Sequence, residues 1–166
     1  MIEINGSKII FITTGGTIDK IYFDKKNKFQ IGNSLIFQVL EDANTTIDYE
    51  IKSILKKDSL DINNADRCII KKTIKNDRHR YFIVTHGTDT MILTAKKLRE
   101  INDKVIILTG AMQPARFKST DAVFNIACAI TAVQLLPNGV YIVMNGKIFE
   151  PENVIKNSNK NRFEYI

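Results

Sequence analysis

The chain has 166 residues, of which 44% are hydrophobic and 25% charged, the balance of one soluble globular domain rather than of a disordered, collagenous or coiled-coil protein. The sequence predicts a single domain over residues 1–166. Its formal charge of +6 raises a polyanionic partner, but Lys outnumbers Arg and its clusters (Lys25–Lys26–Lys28, Lys56–Lys57, Lys71–Lys72–Lys75) are not interleaved with aromatic residues. That pattern predicts a solvated surface and argues against nucleic acid. No apolar run reaches the roughly 18–20 residues of a membrane helix, and the opening MIEINGSKIIF lacks the features of a secretion signal. The expectation is a cytoplasmic protein that does not meet a membrane. Two cysteines, Cys68 and Cys128, make neither a disulfide framework nor a metal spacing, and both read as packing residues.

In chain order, the apolar, β-branched run Lys8–Thr14 predicts a buried strand. Asn33 is placed to cap a helix over Ser34–Ala43, with Leu35, Ile36, Val39 and Leu40 on one side. Ile47–Leu55 predicts a strand, and Asn64–Lys75 a helix with Cys68, Ile69 and Ile70 inward. Tyr81–Thr85 predicts a buried strand, and Thr90–Ile101 a helix with Met91, Leu93, Leu98 and Ile101 inward. Val105–Thr109 is a further strand, Ser119–Leu136 a long apolar helix, Val140–Asn145 a fifth strand, and Lys156–Ile166 a loosely held polar tail. Continuous apolar strands alternating with helices predict an α/β fold: a doubly wound, mostly parallel sheet with helices on both faces, a three-layer sandwich of the flavodoxin or Rossmann kind.

Ligands of such sheets bind beyond the carboxyl ends of the strands. Three segments there mix Gly with hydroxyl residues: Thr13-Thr14-Gly15-Gly16-Thr17, Thr85-His86-Gly87-Thr88-Asp89-Thr90 and Thr109-Gly110-Ala111-Met112-Gln113-Pro114. A parallel sheet brings all three to one rim. Gly16 and Gly87 let the backbone approach a small ligand and expose N–H groups to an oxyanion. The threonines offer nucleophiles, and Asp89 offers a helix cap or an amine ligand. GxGxxG, GxxxxGK[ST] and GxSxG are all absent, which removes the main support for a dinucleotide, a P-loop or an α/β-hydrolase serine. His79 and His86 have no companions at metal-ligand spacing, so no metal is expected; His86 reads as a partner for its own loop backbone.

TTGGTID (Thr13–Asp19) and THGTDTM (Thr85–Met91) resemble the two signature segments of the bacterial-type L-asparaginases. The likeness continues through LTGAMQP (Leu108–Pro114), STDAVFN (Ser119–Asn125) and VMNGKIFEPENVIK (Val143–Lys156). The resemblance implies hydrolysis of the side-chain amide of L-asparagine, or of a related small amide, to the acid and ammonia, with no cofactor. It makes Thr17 the nucleophile of an acyl-enzyme. Thr88, Asp89 and Lys156 become the second catalytic group, and Ser59 the ligand of the substrate α-carboxylate. Asp89 would also take the α-ammonium, and backbone N–H groups near Thr88 and Ala111 the oxyanion. In the family a mobile segment after TGGT carries a Tyr; here Phe29 falls at that position and Tyr22 is the nearby substitute. Family members are roughly twice as long and carry a second, C-terminal domain, so this chain resembles the N-terminal domain alone. Family habit implies a homodimer or larger homo-oligomer. A different class stays open: a non-catalytic module that keeps the pocket and binds a small molecule or a partner. A third reading is an amidase subunit acting on a tRNA-borne carrier.

Overall fold

The computed structural model describes residues 8–23, 28–31, 34–114 and 118–166; side chains are described outside 20–33. Five strands run parallel in one sheet: β1 (Ile9–Gly15), β4 (Tyr49–Lys57), β5 (Tyr81–Thr85), β6 (Val105–Thr109) and β7 (Gly139–Met144). The antiparallel β8 (Lys147–Phe149) closes the edge, giving the order β4-β1-β5-β6-β7-β8. Numbered among the parallel strands alone, this is 2-1-3-4-5, the flavodoxin-like winding, whose strand order reverses between β1 and β5. A hairpin, β2 (Lys20–Phe23) with β3 (Lys28–Ile31), follows β1, and a second, β9 (Val154–Asn157) with β10 (Arg162–Tyr165), follows β8.

The strand period of two divides the core in two. Ile10, Ile12, Phe82, Val84, Ile106 and Leu108 pack against α2 (Asn64–Asn76) and α3 (Met91–Leu98). Ile9, Phe11, Ile83, Val105 and Ile107 pack against α1 (Ile36–Asp42) and α4 (Ala122–Leu135). The expected three-layer α/β sandwich is thus the observed one. Among the described residues, no helix is long and apolar enough to cross a membrane.

Several expectations need correction. The first helix starts at Ile36 with Leu35 at the cap position and no side-chain cap, and Asn33 lies outside the described residues. Ile47–Leu55 is shifted to Tyr49–Lys57, and the helix expected from Ser119 begins at Ala122. In α2 the inward residues are Asp66, Arg67, Ile70 and Ile74; Cys68 is exposed and Ile69 is 48% exposed. Successive helical residues turn by about 100°, so Ile70 and its two predecessors cannot share one face. Cys68 is therefore not a packing residue, whereas Cys128 packs against the α4 side of the core. Leu93 also points outward, because Met91, Thr94, Ala95 and Leu98 take the buried stripe of α3. The supposed polar tail is the β9–β10 hairpin, docked through Val154 and Phe163, which are 3% and 2% exposed.

Candidate active site

The switch point between β1 and β5 is where two glycine turns meet. β1 ends at Gly15, and Gly16 leads into the 3-10 turn Thr17–Asp19. Gly16 has φ +87, and a Cβ there would stand 2.4 Å from the Gly87 nitrogen. Gly87 in turn leaves no room for a side chain, since a Cβ would sit 2.6 Å from Ser59 Cβ. Three loops therefore touch through hydrogen-sized gaps: those after β1, β4 and β5. Hydrogen bonds fix the arrangement. Gly16 N donates to Lys57 O at 2.9 Å, Thr14 Oγ1 to Thr85 O at 2.8 Å, and His86 N to Thr109 O at 2.9 Å. The last bond brings the β6 loop, with buried Ala111, to the same rim.

Thr17 is half-buried beside this junction, at the head of its turn. Thr88 and Asp89 lie in the loop that leads into α3, Thr88 buried at 4% exposure. The β9–β10 hairpin supplies the counter-charge. Lys156 Nζ donates to Thr88 Oγ1 at 2.8 Å and to Asp89 Oδ1 at 2.5 Å. Ser59 is buried, its hydroxyl donates to Asp89 Oδ2 at 3.5 Å, and its carbonyl accepts from Thr90 Oγ1 at 2.6 Å. A hydroxyl, an ammonium, a carboxylate and a second hydroxyl thus form one connected group: Thr88, Lys156, Asp89, Ser59. Tyr22 and Phe29 face each other across the β2–β3 ladder, and their side chains lie outside the described part of the structure.

The hairpin reaches the site because its second strand is anchored below it. Phe163 N donates to Asn145 Oδ1 at 2.8 Å, and Asn145 N to Asn125 Oδ1 at 3.0 Å. Asn125 also donates to Gly110 O at 3.0 Å, and the Asp121 carboxylate collects the N–H groups of Met112 and Gln113 at 2.9–3.0 Å. Asp121 and Asn125, which hold the β6 loop and the hairpin, are not singled out by sequence reasoning. The signal that could find them is two polar residues four apart at the start of an otherwise apolar helix.

Asp19 is a further charged group that the sequence reading does not mark. It is 2% exposed, and its Oδ1 accepts from Leu35 N at 3.2 Å, joining the turn after Thr17 to the start of α1. Burial raises its carboxyl to about 6, against the ordinary 3.8, while Leu35 N–H, Ser34 and Lys56 pull the other way. A folded-state value above the unfolded one means the folded state holds the proton more tightly. Ionisation therefore lowers stability above pH 6, and protonation restores it as pH falls from about 6 to about 4. Asp19→Asn keeps an acceptor and removes the charge. It is expected to stabilise the protein at pH 8 by about 1–2 kcal/mol, within the roughly 3 kcal/mol ceiling of the shift. Thermal melting reads this as a gain of roughly 3–6 °C at pH 8 that shrinks below pH 6 and closes near pH 4. A lower melting point than wild type at pH 8 contradicts the burial account.

The family described as Asparaginase, N-terminal matches residues 8–164. The chain is 28% identical over 178 aligned positions to a glutaminase-asparaginase of Acinetobacter glutaminasificans, covering 96% of this chain and 53% of that one. It is 41% identical over 81 residues to a glutamyl-tRNA(Gln) amidotransferase subunit of Methanococcus vannielii, covering 48% of this chain and 19% of that one. The solved structure of the thermostable L-asparaginase from Thermococcus kodakarensis superposes with a TM-score of 0.83 at 27% identity, covering 96% of this chain and 51% of that one. The chain spans about half the length of these asparaginase relatives. With the family match running over nearly all of its length, and its two glycine turns meeting at the rim, the chain belongs to the asparaginase N-terminal family.

Proposed function

We propose that the chain is an amidohydrolase that cleaves the side-chain amide of L-asparagine, or of a related small amide, through an acyl-enzyme on Thr17. The observation that carries this reading is Lys156, whose ammonium lies between Thr88 Oγ1 and Asp89 Oδ1. A solvated surface lysine gains little from such placement, whereas a proton relay needs it.

In this mechanism the Thr17 hydroxyl oxygen attacks the amide carbon. Its proton passes to the leaving nitrogen, the C–N bond breaks, and ammonia departs, leaving an ester. Water then attacks the ester carbon, the Thr17 oxygen recovers a proton, and the acid leaves. Thr88, Lys156 and Asp89 move the proton in the step that involves water, the carboxylate balancing the lysine charge as it does so. Backbone N–H groups at Thr88 and Ala111 face the oxyanion, a contribution of about 3–4 kcal/mol per donor in well-characterised acyl-transfer sites. Ser59 and Asp89 hold the α-carboxylate and α-ammonium of the substrate, with Gly16 and Gly87 letting the backbone close on it.

The test is ammonia release from millimolar L-asparagine by the wild type and by Thr17→Ala. Release by the wild type that falls to background in the variant is expected; equal release from both overturns the assignment of Thr17. A second reading, an amide-hydrolysing subunit that serves a tRNA-borne carrier, is favoured by the likeness to the tRNA amidotransferase of Methanococcus vannielii. It would show as tRNA binding that weakens steeply with salt.

A further inference from the structure

Behind the Thr88 loop lies a line of buried polar groups that the reaction scheme does not use. Arg67 on α2 is 7% exposed, while Thr94 on α3 and His86 are fully buried. Arg67 Nε donates to Thr94 Oγ1 at 3.2 Å, Thr94 Oγ1 meets His86 Nε2 at 2.8 Å, and His86 Nδ1 meets Gly87 O at 2.8 Å.

The direction of every proton follows from the two ends. The Gly87 carbonyl can only accept, so His86 Nδ1 carries the hydrogen. The Arg67 Nε–H can only donate, so Thr94 Oγ1 accepts from it; on a neutral ring with its hydrogen on Nδ1, Nε2 is bare and takes the Thr94 proton. A neutral ring is required for this order, and burial supplies it: desolvation lowers His86 to about 4 from 6.5, with the Gly87 bond opposing and the Arg67 charge assisting. The arginine is itself set by the first turn of α2. Asn63 and Asp66 form a capping box there, and Lys57 Nζ holds the Asp66 carboxylate at 2.9 Å.

We infer that Arg67, Thr94 and His86 form a positioning relay that fixes the Gly87–Thr88 peptide by holding the Gly87 carbonyl toward the core. The peptide is trans, so holding its carbonyl turns the Thr88 N–H the opposite way, out of the core. The same bond sets the plane of Gly87, against which Gly16 and Ser59 pack. The relay thus carries the geometry of the rim without touching substrate. Its link to turnover rests on the amidohydrolase reading above; its proton order does not.

The experiment has two arms. In the first, the imidazole nitrogens of the whole chain are read by 15N NMR, with His79→Gln separating the two histidines. The relay predicts His86 neutral with hydrogen on Nδ1 and none on Nε2 from pH 8 to pH 5, and a displaced Nε2 resonance in Thr94→Val, where the Gly87 bond still holds Nδ1–H but Nε2 loses its donor. Hydrogen on Nε2, protonation near the ordinary value, or an unchanged ring in Thr94→Val overturns the relay. The second arm measures turnover. Thr94→Val is expected to lower kcat about tenfold, a positional effect, with KM nearly unchanged, and Thr94→Ser to retain both the ring signature and kcat. An unchanged kcat in Thr94→Val from a chain that releases ammonia removes the positioning role. A wild type that releases none refutes the amidohydrolase reading, and the ring spectrum then decides the relay by itself.

Discussion

Lys156→Met is expected to lower ammonia release from L-asparagine by about 10³-fold, within the range for losing a positioned acid–base group, while the protein stays folded. The two halves of that expectation come from different parts of the structure. The lysine sits on the β9–β10 hairpin with 19% of its side chain exposed, and its carboxylate partner Asp89 is 45% exposed. A pair this close to water contributes about 0–1 kcal/mol to stability. The hairpin is held instead by Val154 and Phe163 in the core and by the Asn145 contact. Met fills the space of the lysine stem but offers Thr88 no donor and Asp89 no charge. Lys156→Arg keeps the charge and is not expected to rescue, because a guanidinium cannot give up its proton and carries it in a planar fork. A melting point near that of wild type together with lost turnover is the expected pattern. Turnover within a few fold of wild type would return Lys156 to the surface.

Gly16→Ala is expected to destabilise the fold by about 3 kcal/mol or more, from backbone strain added to overpacking. At φ +87 a side chain is already strained, and the added methyl would lie 2.4 Å from Gly87 N and 2.6 Å from Gly87 Cα. Both obstacles are backbone, and neither can rotate away. Gly87 cannot retreat either, because Ser59 stands behind it and His86 holds its carbonyl. The β1 turn that leads into Thr17 and the β5 turn that leads into Thr88 would have to part. Thermal unfolding should show a drop of roughly 10 °C accompanied by loss of turnover. A melting point within about 2 °C of wild type would mean that the two turns are less tightly joined than the geometry states.

Where burial repeats with a clear period, the sequence foretells the structure. Tyr81–Thr85 and Val105–Thr109 are continuous apolar runs, and the strands fall on those residues. The β9–β10 hairpin is illegible because Ile155 and Tyr165, apolar or aromatic, face outward and only Phe163 on the second strand is fully inward. A single buried ring in NKNRFEYI carries no periodicity. The helix faces fail for a different reason: Cys68, Ile69 and Leu93 are apolar and close to inward residues, and composition cannot tell a flank from a face. At the rim, glycines and hydroxyls after three strands mark the place without any knowledge of contacts. Lys156 can be tied to Thr88 only by resemblance, since 68 residues separate them. Arg67 and Thr94 give no signal, because a helical Arg and a helical Thr are ordinary surface residues until both are found buried against His86.

An acyl-enzyme on Thr17 is the step on which the proposed chemistry stands, and its capture by hydroxylamine is the sharpest test. Hydroxylamine competes with water for an ester but plays no part in the departure of ammonia. Added during turnover of L-asparagine, it is expected to divert product from aspartate to the β-hydroxamate, with ammonia release sustained and both products absent in Thr17→Ala. Ammonia release with no hydroxamate at any hydroxylamine concentration, or hydroxamate formed as readily by Thr17→Ala, would contradict the acyl-enzyme.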